Sequence, residues 1–402
     1  DDSQSIYAFR GATFKNIMEF PSLFPGTAIY KLEENYRSTQ PILNLANAVI
    51  EEATEKYTKR LFTRKLDGPL PTLVEAAGEN AQSRFIAQKI LELREEGVPL
   101  GEMAVLFRSS FHSFDLEIEL ARHGLPFLKR GGVKFIETAH VKDLLAHVRV
   151  AANPLDAVSW HRVLMLIEGV GPKKAQDVMT ALVKSDDPYR TLREMPGRSG
   201  KGLKDLALTL ESLAGDGALR PAEQVNHVYE YYLPILKTQY DDYPKRTRDL
   251  DHLHTIAEGY QEIDAFLADL ALEPPDGSAA GVASADRDDE RLVLSTIHSA
   301  KGLEWQCVFV IWIVDGRFPS VYSFAGDEEL EEERRLFYVS VTRAKRHLYL
   351  TYPINVFDKG SGMVLSKPSR FLDPVSPALL EQLALIEEGG RPDWYSRDDR
   401  YV

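Results

Sequence analysis

Leu292-Val-Leu-Ser-Thr-Ile-His-Ser-Ala-Lys-Gly-Leu-Glu-Trp-Gln-Cys-Val-Phe-Val-Ile-Trp-Ile-Val314 holds two apolar runs joined by a short polar connection. Leu292 to Ser295 reads as a strand. Val308 to Val314 reads as a second strand, apolar on both faces as a central strand of a parallel sheet has to be. Between them Thr296, His298, Lys301 and Glu304 crowd together, and Ser299, Ala300 and Gly302 are small enough to let another group approach the backbone closely. Open α/β sheets bind ligands at the carboxyl ends of their strands. This connection is therefore the most site-like loop in the chain, the alternative being a plain polar crossover.

The same alternation of strand and helix extends in both directions. Upstream, Ala28 to Leu32 alternates like a strand, and Ile42, Leu43, Leu45, Ala46, Val49 and Ile50 recur at helical spacing behind Pro41. Pro71 to Glu75 and Met103 to Phe107 read as strands, each followed by a helix, over Ala81–Glu96 and Ser113–His123. Downstream, Glu328 to Thr342 reads as a helix and His347 to Thr351 as a strand. Strands alternating with helices predict βαβ units and a parallel sheet. From about 138 to 270 the apolar residues instead follow helical spacing throughout, and residues 271–290 have the composition of a linker. The expected architecture is one α/β domain split by an all-helical insertion.

Composition bounds the rest. Of 402 residues, 44% are hydrophobic and 27% charged, which excludes a collagen, a disordered tail or a disulfide-stapled scaffold. No apolar run approaches the ~20 residues of a membrane span. The single cysteine, Cys307, excludes an intrachain disulfide and fits a cytoplasmic setting. With 48 Lys plus Arg against 61 Asp plus Glu, the net charge is −13. That argues against a nonspecific nucleic-acid binder, while leaving room for a local basic or aromatic groove. The chain starts at Asp1 without an initiator Met or a signal-peptide pattern, as a processed or excised piece would.

Three further segments carry chemistry. Gln4-Ser-Ile-Tyr-Ala-Phe-Arg-Gly-Ala12 sets two aromatics and an arginine beside a glutamine. That pattern suits stacking on exposed bases at roughly 1–3 kcal/mol per base, or else Tyr7 and Phe9 anchor a loop in a core. In Leu32-Glu-Glu-Asn-Tyr-Arg-Ser-Thr39, Ser38 or Thr39 suits a helix N-cap. Arg37 there could meet a phosphate and Tyr36 a purine face, or the segment is a capped helix with a surface arginine. In Glu331 to Arg343, Arg335, Val339 and Arg343 share one helix face, and Glu331 can pair with Arg335. That is a salt-bridged surface helix, except that Arg343 falls just before the next strand.

In order and spacing these four segments resemble motifs III to VI of the UvrD/Rep/PcrA-like DNA helicases of superfamily 1. Gln4–Ala12 resembles motif III, Leu32–Thr39 motif IV, Thr296–Trp305 motif V and Glu332–Ala344 motif VI. The resemblance covers essentially the whole chain and implies a RecA-like parallel-sheet domain of the P-loop NTPase fold. It implies a remnant of the first RecA-like domain over 1–28 and the second RecA-like domain over 29–138 and 290–378. It also implies a helical inserted subdomain with its linker over 139–289, and a C-terminal tail over 379–402.

By the same resemblance, Gln4 would sense the γ-phosphate or its attacking water, and Arg37 and Arg343 would reach the γ-phosphate across a cleft. Tyr36 would stack on the adenine and Glu304 would bind the ribose or otherwise close the site. Tyr7, Phe9 and Arg10 would hold single-stranded DNA, and Thr296 and His298 would link that groove to ATP. Implied ligands are ATP with Mg²⁺, single strands and single-strand/duplex junctions; implied partners are repair or replication proteins, with no membrane. Implied travel is 3′ to 5′.

The departures are specific. Phe9 stands where the family often has Trp, and Ser110-Phe-His-Ser-Phe114 replaces a polar pattern after Arg108. Ile167-Glu-Gly-Val-Gly-Pro-Lys-Lys174 resembles a hairpin that binds duplex backbone at a helix N-terminus, or is a plain helix turn. No Gly-x4-Gly-Lys-Ser/Thr occurs: Gly197-Arg-Ser-Gly-Lys201 has the wrong spacing, and no apolar strand ends in an Asp-Glu pair. The expectation is a helicase fragment that supplies the arginines, lacks the phosphate loop and the Mg²⁺ ligands, and is inactive alone. The alternative is a non-catalytic module that binds DNA or a partner.

Overall fold

The structure, a computed structural model, describes residues 2–6, 15–54, 59–130, 135–185, 187–197, 199–213, 219–271, 290–354, 356–358 and 363–385. It divides into two compact units, Asp1–Gly132 with Asp276–Val402, and Val133–Pro275.

The first unit opens with α1 (Lys15–Leu23), α2 (Gln40–Glu51), β1 (Thr72–Ala76), α3 (Glu79–Glu95), β2 (Met103–Phe107), α4 (Phe114–Arg122) and β3 (Phe127–Arg130). The second unit contains α5 (Ala139–Ala152), α6 (Ala157–Met165), α7 (Pro172–Val183), α8 (Pro188–Glu194), α9 (Gly200–Leu213), α10 (Pro221–Gln239), α11 (Tyr243–Glu258) and α12 (Ile263–Ala271). The first unit then resumes with β4 (Leu292–Thr296), α13 (Ile297–Ala300), β5 (Trp305–Val310), α14 (Asp327–Val341), β6 (Ala344–Pro353), β7 (Val356–Asp358), β8 (Met363–Leu365) and β9 (Glu381–Ala384).

Seven strands form one sheet in the order β3-β4-β2-β5-β6-β1-β9, and every neighbouring pair is parallel. The central strands are the ones whose sequence is apolar on both faces: β2 is buried at all five positions. The edge strand β9 is exposed at all four. Helices cover both faces. Phe85 of α3 meets Tyr349, which stacks on Phe309 with ring centroids 4.8 Å apart. Side chains alternate along a strand, so Val308 and Leu348 face the other way. The antiparallel pair β7–β8 stands apart from this sheet.

Three expectations are corrected. Ala28 to Leu32 runs outside any described strand, and its apolar side chains lie open: Tyr30 is 88% and Leu32 91% exposed. The Val308–Val314 run leaves the ladder after Val310 because Trp312 takes a left-handed backbone, φ 59°. Ile311 N–H still donates to Leu106 O and Ile313 N–H to Thr351 O, so the segment stays buried without being a strand. Glu381 to Ala384, read from sequence as part of a tail, is the edge strand of the sheet. The expected linker falls almost wholly on 272–289, outside the described residues.

In the second unit a buried carboxylate ties three helices. Asp143 of α5 accepts from Arg162 Nε of α6 at 2.6 Å and from the Tyr232 hydroxyl of α10 at 2.7 Å. One turn on, His147 Nδ1–H donates to the Asp143 carbonyl at 2.8 Å. Its ring is fully enclosed, and burial pushes the imidazole down to about 4.

Candidate functional site

Local sequence fixes the loop before α2. The Asn35 side-chain carbonyl accepts from the backbone amides of both Arg37 and Ser38 at 2.9 Å, an Asx turn. Ser38 Oγ then donates to Ala344 O at 2.6 Å, and Thr39 N–H to Lys345 O at 3.0 Å. Thr39 is the N-cap residue, although its side chain makes no capping bond. These bonds pin residues 35–39 to the first residues of β6, and so bring Arg37 to the residue that precedes that strand, Arg343.

There Arg37 Nε donates to Glu304 Oε2 at 2.5 Å and its Nη1 to Thr342 O at 3.2 Å. Glu304 Oε1 lies 3.7 Å from Lys345 Nζ, which also donates to Glu102 Oε2 at 3.3 Å. The hydrogen bond from Arg37 holds the Glu304 carboxyl below its ordinary range. Arg343 is turned inward and is 1% exposed. Its guanidinium donates to Val339 O in the last turn of α14, to Leu303 O in the loop before β5 and to Thr342 Oγ1 at 3.0–3.1 Å. Burial, and after it the charge of Arg37, pulls Arg343 down to about 10, so it stays protonated at neutral pH. Lys301 is lowered by burial and by Arg343.

Glu304 precedes β5 and Arg343 precedes β6, so the cluster occupies the amino edge of the sheet. Thr296 and His298 stand at the opposite edge. Thr296 ends β4 and caps α13, its Oγ1 accepting from Ser299 N–H at 3.4 Å. Thr296 pairs in register with Phe107 at the end of β2, whereas Cys307 pairs with Met103 at its start. At about 3.3 Å per residue, roughly 13 Å of strand separates these two levels. The connection read from sequence as one carboxyl-end loop therefore serves both edges.

Of the other expected residues, Tyr36 is 76% exposed with its ring face open. Its hydroxyl donates to Glu34, which raises the phenol above its ordinary value. Gln4 is half-buried in a short 3-10 turn, Asp2–Gln4, that packs on α14, and Arg335 Nε donates to Ser5 O beside it. Tyr7, Phe9 and Arg10 lie outside the described residues. In the second unit, Gly169 turns with φ 79°, and Gly171 and Pro172 open α7. Sequence reasoning missed Asn35, Lys345 and Glu102. Asn35 carried a readable signal, an Asx residue just before a helix start; the other two are seen only when the strands are aligned.

The amino-edge cluster is cationic apart from two carboxylates already paired. It suits an anion's oxygens and repels a divalent metal. Among the described residues no group of three or more His, Cys, Asp and Glu could hold a metal ion. No helix there is long and apolar enough to cross a membrane.

A wholly parallel sheet covered by helices on both faces, interrupted by an all-helical unit, is an α/β domain with a helical insertion. The chain belongs to the UvrD-like helicase C-terminal domain family, whose model matches residues 30–192 and 225–354. It is 34% identical over 420 aligned positions to DNA helicase II of Escherichia coli K12, covering 99% of this chain and 57% of that protein. With the ATP-dependent DNA helicase PcrA of Staphylococcus epidermidis RP62A it shares 32% identity over 404 positions, covering 95% and 54%. The chain thus spans about half the length of these relatives. A solved C-terminal domain of a possible DNA helicase from Lactobacillus plantarum WCFS1 covers 87% of this chain and 98% of its own. Its TM-score of 0.35 at 12% identity is too low to bear on the fold.

Proposed function

We propose that this chain is the C-terminal part of an ATP-dependent 3′ to 5′ DNA helicase, in which it forms one wall of the ATP cleft. Residues 1–28 belong with the first RecA-like domain in this reading, residues 29–138 and 290–378 form the second, and 139–289 are its insertion. Arg37 and Arg343 neutralise charge that develops on the transferred phosphoryl group, Gln4 senses the γ-phosphate, Tyr36 stacks on adenine, and Glu304 closes the site at the ribose. Tyr7, Phe9 and Arg10, with Thr296 and His298, grip single-stranded DNA near a duplex junction. The setting is the cytoplasm.

The observation that carries this reading is Arg37, pinned at the amino edge with its side chain partly open to meet phosphates held from outside this unit; Arg343 beside it is turned inward and has to leave its backbone carbonyls to join it. The cluster fits the phosphates and not Mg²⁺, so the metal and the phosphate loop are expected from the part of the relatives that this chain does not match. Mg²⁺ would supply further neutralisation of phosphate charge, and no residue of this cluster would hold it. This chain's contribution is the arginine charge, worth about 10³–10⁵ in rate, or about 4–7 kcal/mol of barrier.

The test is steady-state ATP turnover. The 402-residue chain is expected to show none. In a protein that joins it to a phosphate-loop domain, Arg343→Ala should lower kcat by about 10³ or more with little change in ATP binding. Unchanged kcat in that variant refutes the arginine's role. DNA-stimulated turnover by the chain alone, lost in Arg343→Ala, refutes the division of the site.

A further inference from the structure

Glu304 is a carboxylate with two cations to choose from. One oxygen is bound by Arg37 Nε at 2.5 Å, and the other faces Lys345 Nζ at 3.7 Å. Lys345 is itself held in place by Glu102 at 3.3 Å and by its position in β6. All three side chains of the Arg37, Glu304 and Lys345 set are partly open to solvent, at 24%, 43% and 25%. Arg343, by contrast, spends its donors on two backbone carbonyls and a hydroxyl and offers Glu304 no hydrogen bond.

We propose that Glu304 is the resident counter-ion of Arg37 in the nucleotide-free chain and passes to Lys345 when a polyphosphate takes Arg37. Lys345 is then a positioning residue of the site. The inference rests on the reading that this cluster receives phosphates, and it adds how the cluster is kept until they arrive. Two physical requirements are met. An arginine aimed at a trianionic ligand has to be held without one, and a carboxylate does this because it presents the same pair of acceptor oxygens as a phosphate edge. The exchange must also not strand the displaced charge. Lys345 already sits just outside bonding distance, so Glu304 changes partner by a side-chain rotation instead of becoming an unpaired anion beside the incoming one. The pair therefore lowers the affinity of every anion that takes Arg37 by the same factor, which leaves a weak anion such as inorganic phosphate largely unbound while a polyphosphate still binds.

The experiment is calorimetric titration of the 402-residue chain with inorganic tripolyphosphate at low salt, using wild type, Glu304→Gln, Lys345→Met, Arg37→Ala and the Glu304→Gln/Lys345→Met double variant. Removing the competing carboxylate should tighten binding up to about fivefold, the range for one partly exposed ion pair. Lys345→Met should weaken binding in the wild-type background and have no effect on Glu304→Gln, because it acts through Glu304. Binding in Glu304→Gln equal to or weaker than wild type, while Arg37→Ala still weakens it, overturns the counter-ion role and leaves the phosphate reading intact. Lys345→Met weakening both backgrounds equally makes Lys345 a direct ligand and overturns its positioning role. Equal affinity in wild type and Arg37→Ala, or no binding in any variant including Glu304→Gln, overturns the phosphate reading and this inference with it.

Discussion

Replacing Asp143 by Ala removes the acceptor on which α5, α6 and α10 converge. The Tyr232 hydroxyl, fully buried, loses the partner 2.7 Å away. Stranding a buried hydroxyl costs about 1–3 kcal/mol. Arg162 loses its 2.6 Å contact, but its side chain is 37% exposed and can turn to water while its Nη2 keeps Ala139 O. Its share is therefore that of a half-exposed ion pair, about 1 kcal/mol or less. The sum is about 1–4 kcal/mol. Urea unfolding of the whole chain by far-UV circular dichroism reads it, fitted with separate transitions where the two units do not melt together. Tyr232→Phe alone should cost about 1 kcal/mol, and little more once Asp143 is gone, giving a coupling of about 1 kcal/mol in the double-mutant cycle. A loss below about 0.5 kcal/mol for Asp143→Ala, or strict additivity with Tyr232→Phe, refutes the reasoning.

The enclosed His147 is neutral in the fold with its value lowered from 6.5 to about 4. Unfolding below 6.5 therefore takes up a proton. Stability should fall by roughly 3 kcal/mol as pH drops from 6.5 to 4 and lose nothing further from this group below that; His147→Leu should lack this part of the slope in melts across that range. Gly68→Ala would set its methyl 2.7 Å from Thr39 Oγ1 beneath the Arg37 loop. It should cost about 1–3 kcal/mol in denaturant melts, and an unchanged midpoint would refute the packing. Gly302→Ala has open space for its methyl but has to hold φ 90°. Thermal unfolding should show a loss of roughly 1–2 kcal/mol, and Gly302→Asn, which tolerates that backbone better, a smaller one.

What could be read ahead of the structure followed physical periodicity. β2, α2 and α3 announced themselves because burial on both faces or on one stripe dictates which residues they contain. Ala28 to Leu32 misled because alternation reports only an extended backbone with two unlike faces, and pairing needs a neighbour that this unit does not supply to it. Trp312 misled because a left-handed backbone is written in glycine far more often than in tryptophan. Here the indole is secured by donating Nε1–H to His112 O at 3.0 Å and by stacking on the His112 ring. Within the site, Arg37, Glu304 and Arg343 were each named, yet their meeting was not legible: Arg37 and Glu304 are 267 residues apart in sequence. Nor was the inward turn of Arg343, since motif spacing says nothing about a rotamer. Lys345 escaped notice because its role lies entirely in facing a carboxylate from another strand.

The crossover from Thr296 to Glu304 has a mechanical meaning. It is a return path of the chain from the carboxyl rim of the sheet to the amino rim, and it begins with a capped helical turn and ends on a carboxylate held by an arginine. Its one glycine, Gly302, sits midway through the polar turn with φ 90°. In the proposed reading, where the amino rim meets nucleotide and the carboxyl rim meets DNA, lengthening it by a residue or two beside Gly302 should leave both rims able to bind while loosening the coupling between them.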